Sequence, residues 1–203
     1  PHTFGLLKPG ALFHQFRPMS ATPQIRPATE ADLPRITAIY SHHVLHGTGT
    51  FETEPPTLDQ MRQRLQEVYS RDLPWLVAEL DGQVAGFAYC NWFRPRAAFR
   101  YSAEDSIYLA PEAGGQGLGT LLLGELIRRA EALGIRKLIA VIGDSHNQAS
   151  RGLHRRHGFT EAGIIRNCGW KHGRWLDIVM VERVLGAGAE TLAVNQSFGA
   201  HHA

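Results

Sequence analysis

Residues 111–129 read PEAGGQGLGTLLLGELIRR, and the way this stretch folds decides the architecture. Glycines stand at 114, 115, 117 and 119, and an apolar pattern of helical period starts directly behind them. Two readings of these residues stay open. A tight strand-to-helix turn uses glycine for its backbone freedom. An anion cradle uses the same freedom to bring amides close to a ligand, because the first N–H groups of a helix lack intrahelical partners and carry partial positive charge. Other phosphate loops fit poorly. The stretch has no Lys for a Walker A loop, and a dinucleotide fingerprint needs glycine where Leu122 stands.

Working outward, DSIYLA (105–110) reads as a strand entering the loop, and KLIAVIG (137–143) as a strand leaving the helix TLLLGELIRRAEALG (120–134). Together they make one parallel βαβ crossover. Upstream, WLVAEL and QVAGFAYCNW flank Asp81–Gly82, a strong hairpin signal. IRPAT (25–29) is a short strand ending at Thr29, an N-cap with Asp32 in place of the usual capping-box Glu. Helices follow over ADLPRITAIYSHHV and LDQMRQRLQEVYSR, the second with Leu58, Met61, Leu65 and Val68 on one face. The loop GTGTFETEPPT separates them. SHNQASRGLHRRHG reads as a last helix stopped by Gly158, and two strands around a Lys-His-Gly-Arg turn close the chain. The expected fold class is α+β, a mixed and mostly antiparallel sheet with flanking helices.

At 203 residues the chain fits one domain with a sizeable core. Residues 1–18 are expected to be a tag or extension, 19–185 the domain, and 186–203 a peripheral tail. A formal charge of +2 is too small to suggest nucleic acid, and no apolar run is long enough for a transmembrane helix. Cys90 and Cys168 have no metal-ligand spacing; they are expected to be two buried thiols in a reducing cytoplasm.

The stretch LAPEAGGQGLGTLLL resembles the acyl-CoA-binding loop of the GNAT superfamily of N-acetyltransferases, whose pattern is Arg/Gln-x-x-Gly-x-Gly/Ala. Gln116, Gly117 and Gly119 are in register, but Gly114 stands where the pattern has Arg or Gln. The likeness covers roughly residues 24–184. TFETEP, WFRPRAAFRYSAEDSIYL, NQASRGLHRRHGF and above all GWKHGRWLDI resemble the phosphinothricin and methionine sulfone N-acetyltransferase group. The resemblance implies the GNAT fold, acetyl-CoA as co-substrate, no metal, a small amino-acid-like acceptor and a homodimer. Polyamine, aminoglycoside or protein N-terminal acceptors, and a non-catalytic acyl-CoA-binding module, are the alternatives; arginines near the site argue against cationic acceptors.

Acetyl transfer needs a neutral amine, a polarised thioester carbonyl and a proton for the leaving thiolate. Glu104 is the candidate general base. Alternation puts Asp105 on the other side of the strand, as a structural residue. The backbone of Ile107, Tyr108 and Leu109 is placed beside the pantetheine arm, offering an amide to the thioester oxygen. Gly115, Gln116, Gly117, Leu118, Gly119 and Thr120 form the pyrophosphate loop. Superfamily members carry a Tyr shortly before a Gly-Phe turn, and LHRRHGF puts His154 there as candidate general acid. Asn147 is read either as a CoA contact or as a helix cap. Phe51, Arg94 and Arg96, with Glu104, are the substrate-binding candidates, the guanidinium groups suiting carboxylate and phosphinate. Arg155, Arg156 and His157 are read as a solvated helix face, with the CoA 3′-phosphate as an alternative. Trp170, Trp175 and Asp177 are read as structural, the aromatics packing and Asp177 anchoring a turn.

Overall fold

Turn residues dictate where each strand reverses. In the computed structural model, which describes residues 22–193, Asp81 and Gly82 take φ of 52° and 74°. That backbone suits a two-residue hairpin and joins β2 (Trp75–Leu80) to β3 (Gln83–Trp92). His172 and Gly173, at φ 50° and 72°, do the same between β6 (Thr160–Lys171) and β7 (Arg174–Val184). The remaining elements are β1 (Gln24–Pro27), α1 (Leu33–His46), α2 (Leu58–Ser70), β4 (Ser102–Leu109), α3 (Leu118–Ala132), β5 (Lys137–Gly143) and α4 (Gln148–Arg156). The expected capping box at Thr29 and Asp32 is present, at a short 3-10 turn that leads into α1.

The strands form one sheet in the order β1-β2-β3-β4-β5-β7-β6. Every pairing is antiparallel except β4 with β5. Successive side chains of β4 divide the helices between the two faces. Tyr108 meets Tyr40 of α1 edge to face at 4.9 Å. Its neighbour Leu109 points the other way, into the space where Gly86 of β3 lies against Leu122 of α3. The α1 and α2 side adds an aromatic tier, with Trp75 stacked on Tyr89 at 4.2 Å and Phe87 tilted against Tyr108 at 5.4 Å. On the α3 side Leu118, Leu122, Leu123, Leu126 and Ala130 are all buried.

Two expectations need correction. Cys168 is exposed, because β6 is the edge strand and turns that residue outward, whereas Cys90 on β3 is buried; both are free thiols. Leu58 opens α2 and is exposed, leaving Met61, Leu65 and Val68 as the buried stripe. Trp170 and Trp175 do pack, on each other at 5.3 Å, while each stays 58% exposed. The proposed extension over 1–18 and the end of the tail from 194 lie outside the described residues.

Leu122 is fully buried against the β3–β4 backbone. Leu122→Ala is therefore expected to cost about 2–5 kcal/mol. Urea unfolding followed by circular dichroism checks this, as a lowered midpoint at unchanged slope.

Candidate active site

The parallel pair between β4 and β5 is short. Ser102 to Asp105 align with Lys137 to Ala140, and no pairing continues beyond them. β4 then stays with β3 as far as Leu109 opposite Gly86, while β5 stays with β7 as far as Gly143 opposite Ile178. The two strands fork, and a cleft of about 1070 Å³ opens between them. Ile107, Tyr108 and Leu109 line one wall, with Val141, Ile142 and Gly143 opposite. Along this edge β4 has no strand partner, and its polar backbone is available to an extended ligand, except at the Leu109 carbonyl, which accepts from His43 Nε2 at 2.7 Å.

The glycine loop closes one end. Gly115 and Gly117 sit at φ 76° and 79°, a left-handed backbone that side chains resist, and Gly117 is the N-cap of α3. The first helical hydrogen bond runs from the Thr120 N–H to the Gly117 carbonyl, so the amides of Leu118 and Gly119 precede the ladder. Gly115, Gly117, Gly119 and Thr120 line the cleft. These open amides at a helix start, with no Cβ in front of them, fit the pyrophosphate of an acyl-CoA. Gln116 and Leu118 are not among the lining residues. The Gln116 amide donates to the Glu112 carbonyl at 3.3 Å, and the Leu118 side chain belongs to the core. Gly114 has φ −64° and open space where a Cβ would stand.

At the fork itself stand Glu104 and Asp105, on opposite faces of β4. Glu104 lines the cleft and is half-buried. Burial raises its carboxyl above the ordinary range, the positive charge of Arg94 opposes the shift, and Asp105 adds to it. His154 reaches Asp105 from α4, with Nε2 3.0 Å from Oδ1. Its Nδ1 lies 2.8 Å from the Ser150 carbonyl. Burial would lower the His154 pKa, but the hydrogen bond and charge of Asp105 outweigh it and raise the ring above its usual value. Asn147 caps α4 by accepting from the Ser150 N–H at 3.1 Å, and it also lines the cleft. Both expected roles thus remain open to it.

The loop between α1 and α2 forms the far wall, a feature that sequence reasoning largely missed. Phe51 is wedged against Gly143 and Gly169, where an added Cβ would collide with its ring or with the Thr48 carbonyl. Tyr40 donates to Glu52 at 2.8 Å and shares a 3.0 Å hydrogen bond with Thr50, while Arg64 reaches Glu52 at 3.1 Å. The β6–β7 turn holds this loop down. The buried Lys171 ammonium donates to the Thr50 carbonyl at 2.8 Å, and His172 Nε2 to the Gly47 carbonyl at 3.2 Å. Asp144 accepts from Thr48 at 3.3 Å and from Arg174. Burial would raise the Asp144 carboxyl, but the His146 N–H and the Arg174 guanidinium bring it down to about 2. TFETEP and GWKHGRW carried the family likeness; the only chemical signal that they touch was the pairing of an apolar loop residue with a cationic turn.

Arg94 and Arg96 fall outside the lining residues. Arg94 lies over the Phe93 ring at 4.3 Å and donates to the Phe93 carbonyl, its charge still felt at Glu104. Arg96 is exposed at the start of a 3-10 turn. Arg156 lines the cleft and also a second cavity of about 580 Å³ with His157 and Arg183. Asp177 anchors the chain around it, accepting from the Ser145 hydroxyl and the Asn167 N–H. Among the described residues no cluster of His, Cys, Asp and Glu could hold a metal.

Comparison with known proteins matches residues 36–159 to the Acetyltransferase (GNAT) family. The chain is 51% identical over 168 residues to a phosphinothricin N-acetyltransferase of Alcaligenes faecalis, covering 83% of this chain and 85% of that one. It is 40% identical over 165 residues to an L-methionine sulfoximine/L-methionine sulfone acetyltransferase of Pseudomonas aeruginosa, covering 81% and 94%. A crystal structure of a GNAT superfamily phosphinothricin acetyltransferase from Sinorhizobium meliloti in complex with AcCoA superposes with a TM-score of 0.84 at 45% identity, covering 86% and 94%.

The loop geometry separates two glycines by experiment. Gly117→Ala forces a side chain into a left-handed backbone, at about 1–2 kcal/mol, and is expected to weaken acetyl-CoA about tenfold. Gly114→Arg meets open space and is expected to tighten acetyl-CoA by about threefold to tenfold through a charge-assisted contact. Isothermal titration calorimetry with acetyl-CoA measures both.

Proposed function

The chain belongs to the acetyltransferase (GNAT) family and is an acetyl-CoA-dependent N-acetyltransferase; from that premise we propose that its acceptor is the free α-amine of a small amino-acid analogue of the phosphinothricin, methionine sulfone or methionine sulfoximine type. The observation that carries this substrate class is the identity, over most of both chains, to relatives named for those compounds. The proposal extends to a cytoplasmic homodimer, which rests on the family resemblance, and to a single catalytic domain over residues 19–185.

Bound acetyl-CoA supplies an activated acetyl thioester. Our assignment gives the chain's residues five tasks. The amides at the start of α3 hold the pyrophosphate, and the unpaired edge of β4 over residues 107–109 holds the pantetheine arm and polarises the carbonyl. Glu104 takes the proton from the substrate ammonium, directly or through water, so that the amine lone pair can attack. A carboxyl whose burial raises its pKa suits this task better than an ordinary surface carboxylate. As the C–S bond breaks, the leaving thiolate takes a proton, and His154, which lines the cleft, is the assigned donor. Phe51 walls the acceptor end, and Arg94, whose charge is felt at Glu104, and Arg96 are assigned to the acidic groups of the substrate.

Thiol release with acetyl-CoA and a panel of amines tests the substrate class. Turnover of phosphinothricin or methionine sulfone supports it, and turnover confined to polyamines or aminoglycosides rules it out. Glu104→Gln is expected to lower kcat/KM by about 10²–10⁴ while acetyl-CoA affinity stays within about twofold. The base works ionised, so wild-type kcat/KM falls as pH drops through the Glu104 pKa. A pH profile is expected to place that limb above the ordinary carboxylate range.

A further inference from the structure

The inference concerns Asp105, which its place on a buried strand face makes look like a packing residue. Its carboxylate is almost wholly buried, with side-chain exposure of 1%, and the His154 ring beside it is exposed by 2%. One oxygen, Oδ1, faces His154 Nε2 at 3.0 Å. The other, Oδ2, is buried with no hydrogen-bond partner among the described residues. An isolated buried carboxylate is strongly disfavoured, so something must compensate this one.

The ring supplies the compensation only in one protonation state. Nδ1 lies 2.8 Å from the Ser150 carbonyl, which only accepts, and farther, at 3.4 Å, from the Ser150 hydroxyl; the shorter contact puts a proton on Nδ1. Nε2 faces a carboxylate, which also accepts, so Nε2 carries the second proton. A neutral imidazole would leave one contact without a proton and Asp105 without a counter-charge. Serving both acceptors at once requires the imidazolium.

The groups around the ring do not compete for this role. Cys90 lies across from Asp105 on β3, its thiol pushed far up by burial and so held neutral. His157, the C-cap of α4, is lowered by burial and then by the charges of Arg183 and His154. Phe159 packs edge to face on the ring at 5.0 Å and brings no charge. Glu104, on the next position of β4, faces the opposite side of the sheet.

Resting on the acetyl-transfer reading given above, we propose that Asp105 is a positioning residue that fixes His154 as an imidazolium at the fork between β4 and β5. The ring is thereby charged and proton-bearing before the thioester is attacked. The two neighbouring carboxyl residues of β4 then divide the reaction between the two faces of one strand. Glu104 removes positive charge from the amine on one side. Asp105, acting through His154, keeps positive charge in place for the thiolate on the other.

The test reads the ring directly. Proton–nitrogen correlation spectra of the 15N-labelled protein without acceptor are expected to show both His154 ring nitrogens protonated at neutral pH, assigned by loss of the signals in His154→Asn. In Asp105→Asn the His154 midpoint is expected to fall by about one pH unit or more, because the amide oxygen accepts but carries no charge. Asp105→Glu, which keeps the charge, is expected to return the midpoint toward wild type. A single protonated ring nitrogen in the wild type overturns the proposal, as does an unchanged midpoint in Asp105→Asn. Should Asp105→Asn fail to fold, the wild-type spectrum and Asp105→Glu still decide.

A second readout separates positioning from mere packing. The alkaline limb of kcat, where the imidazolium is lost, is expected to move down in Asp105→Asn by the same amount as the spectroscopic midpoint. An unmoved limb beside a shifted midpoint overturns the positioning role. The spectra need no acceptor, so they judge Asp105 independently of the amine panel that judges the substrate class.

Discussion

Everything about this molecule's working surface follows from a parallel strand pair that stops too soon. β4 and β5 share only four aligned positions, 102–105 with 137–140. Each strand then follows its antiparallel neighbour, and antiparallel partners on both flanks pull the two apart. An ordinary parallel sheet would bury its strand ends under continuous ladder. Here the interrupted ladder leaves a polar edge and a wedge-shaped space. The crossover helix α3 must start at the mouth of that wedge, because it leaves from the end of β4. Backbone edge, open helix amides and wedge are thus one constraint seen three times.

Asp105 and Ala140 are the last aligned pair. The charged pair of Asp105 with His154 sits at that point and ties α4 to the apex of the fork. Glu104, one residue earlier, looks into the cleft from the other face. Burial acts on Glu104 and on His154 and in both cases opposes charge. What distinguishes them is local: Glu104 has only a distant cation, whereas His154 has a carboxylate at hydrogen-bonding distance. Chemically different behaviour therefore arises within one turn of a strand.

How far the sequence disclosed this depends on the range of each interaction. The crossover around PEAGGQGLGTLLL, the Asp81–Gly82 hairpin, the cap at Asn147 and the stop at Gly158 were all legible, since each is decided by residues within a few positions. The opposed faces of Glu104 and Asp105 followed from simple alternation. That Asp105 would meet a histidine did not, because His154 is 49 residues away and arrives on a different helix. Leu58 misled because helical period cannot say which turn of α2 leaves the core. Cys168 misled for a related reason: an apolar residue on β6 looks like core until the strand is known to be an edge. Arg94 and Arg96 were placed by charge and by the family resemblance, neither of which tells which way a loop side chain turns. Of the wall built by residues 47–52 only Phe51 was legible, because the groups that fasten it, Lys171 and His172, lie more than a hundred residues further along the chain.

The bond from Lys171 to Thr50 spans 121 residues of chain. Closing a loop of that length costs more entropy than local pairing does. The glycine loop and the start of α3 are set by residues within a few positions of one another. The two ends of the cleft therefore differ in how much chain each must order, and the acceptor wall draws on the larger part of the domain.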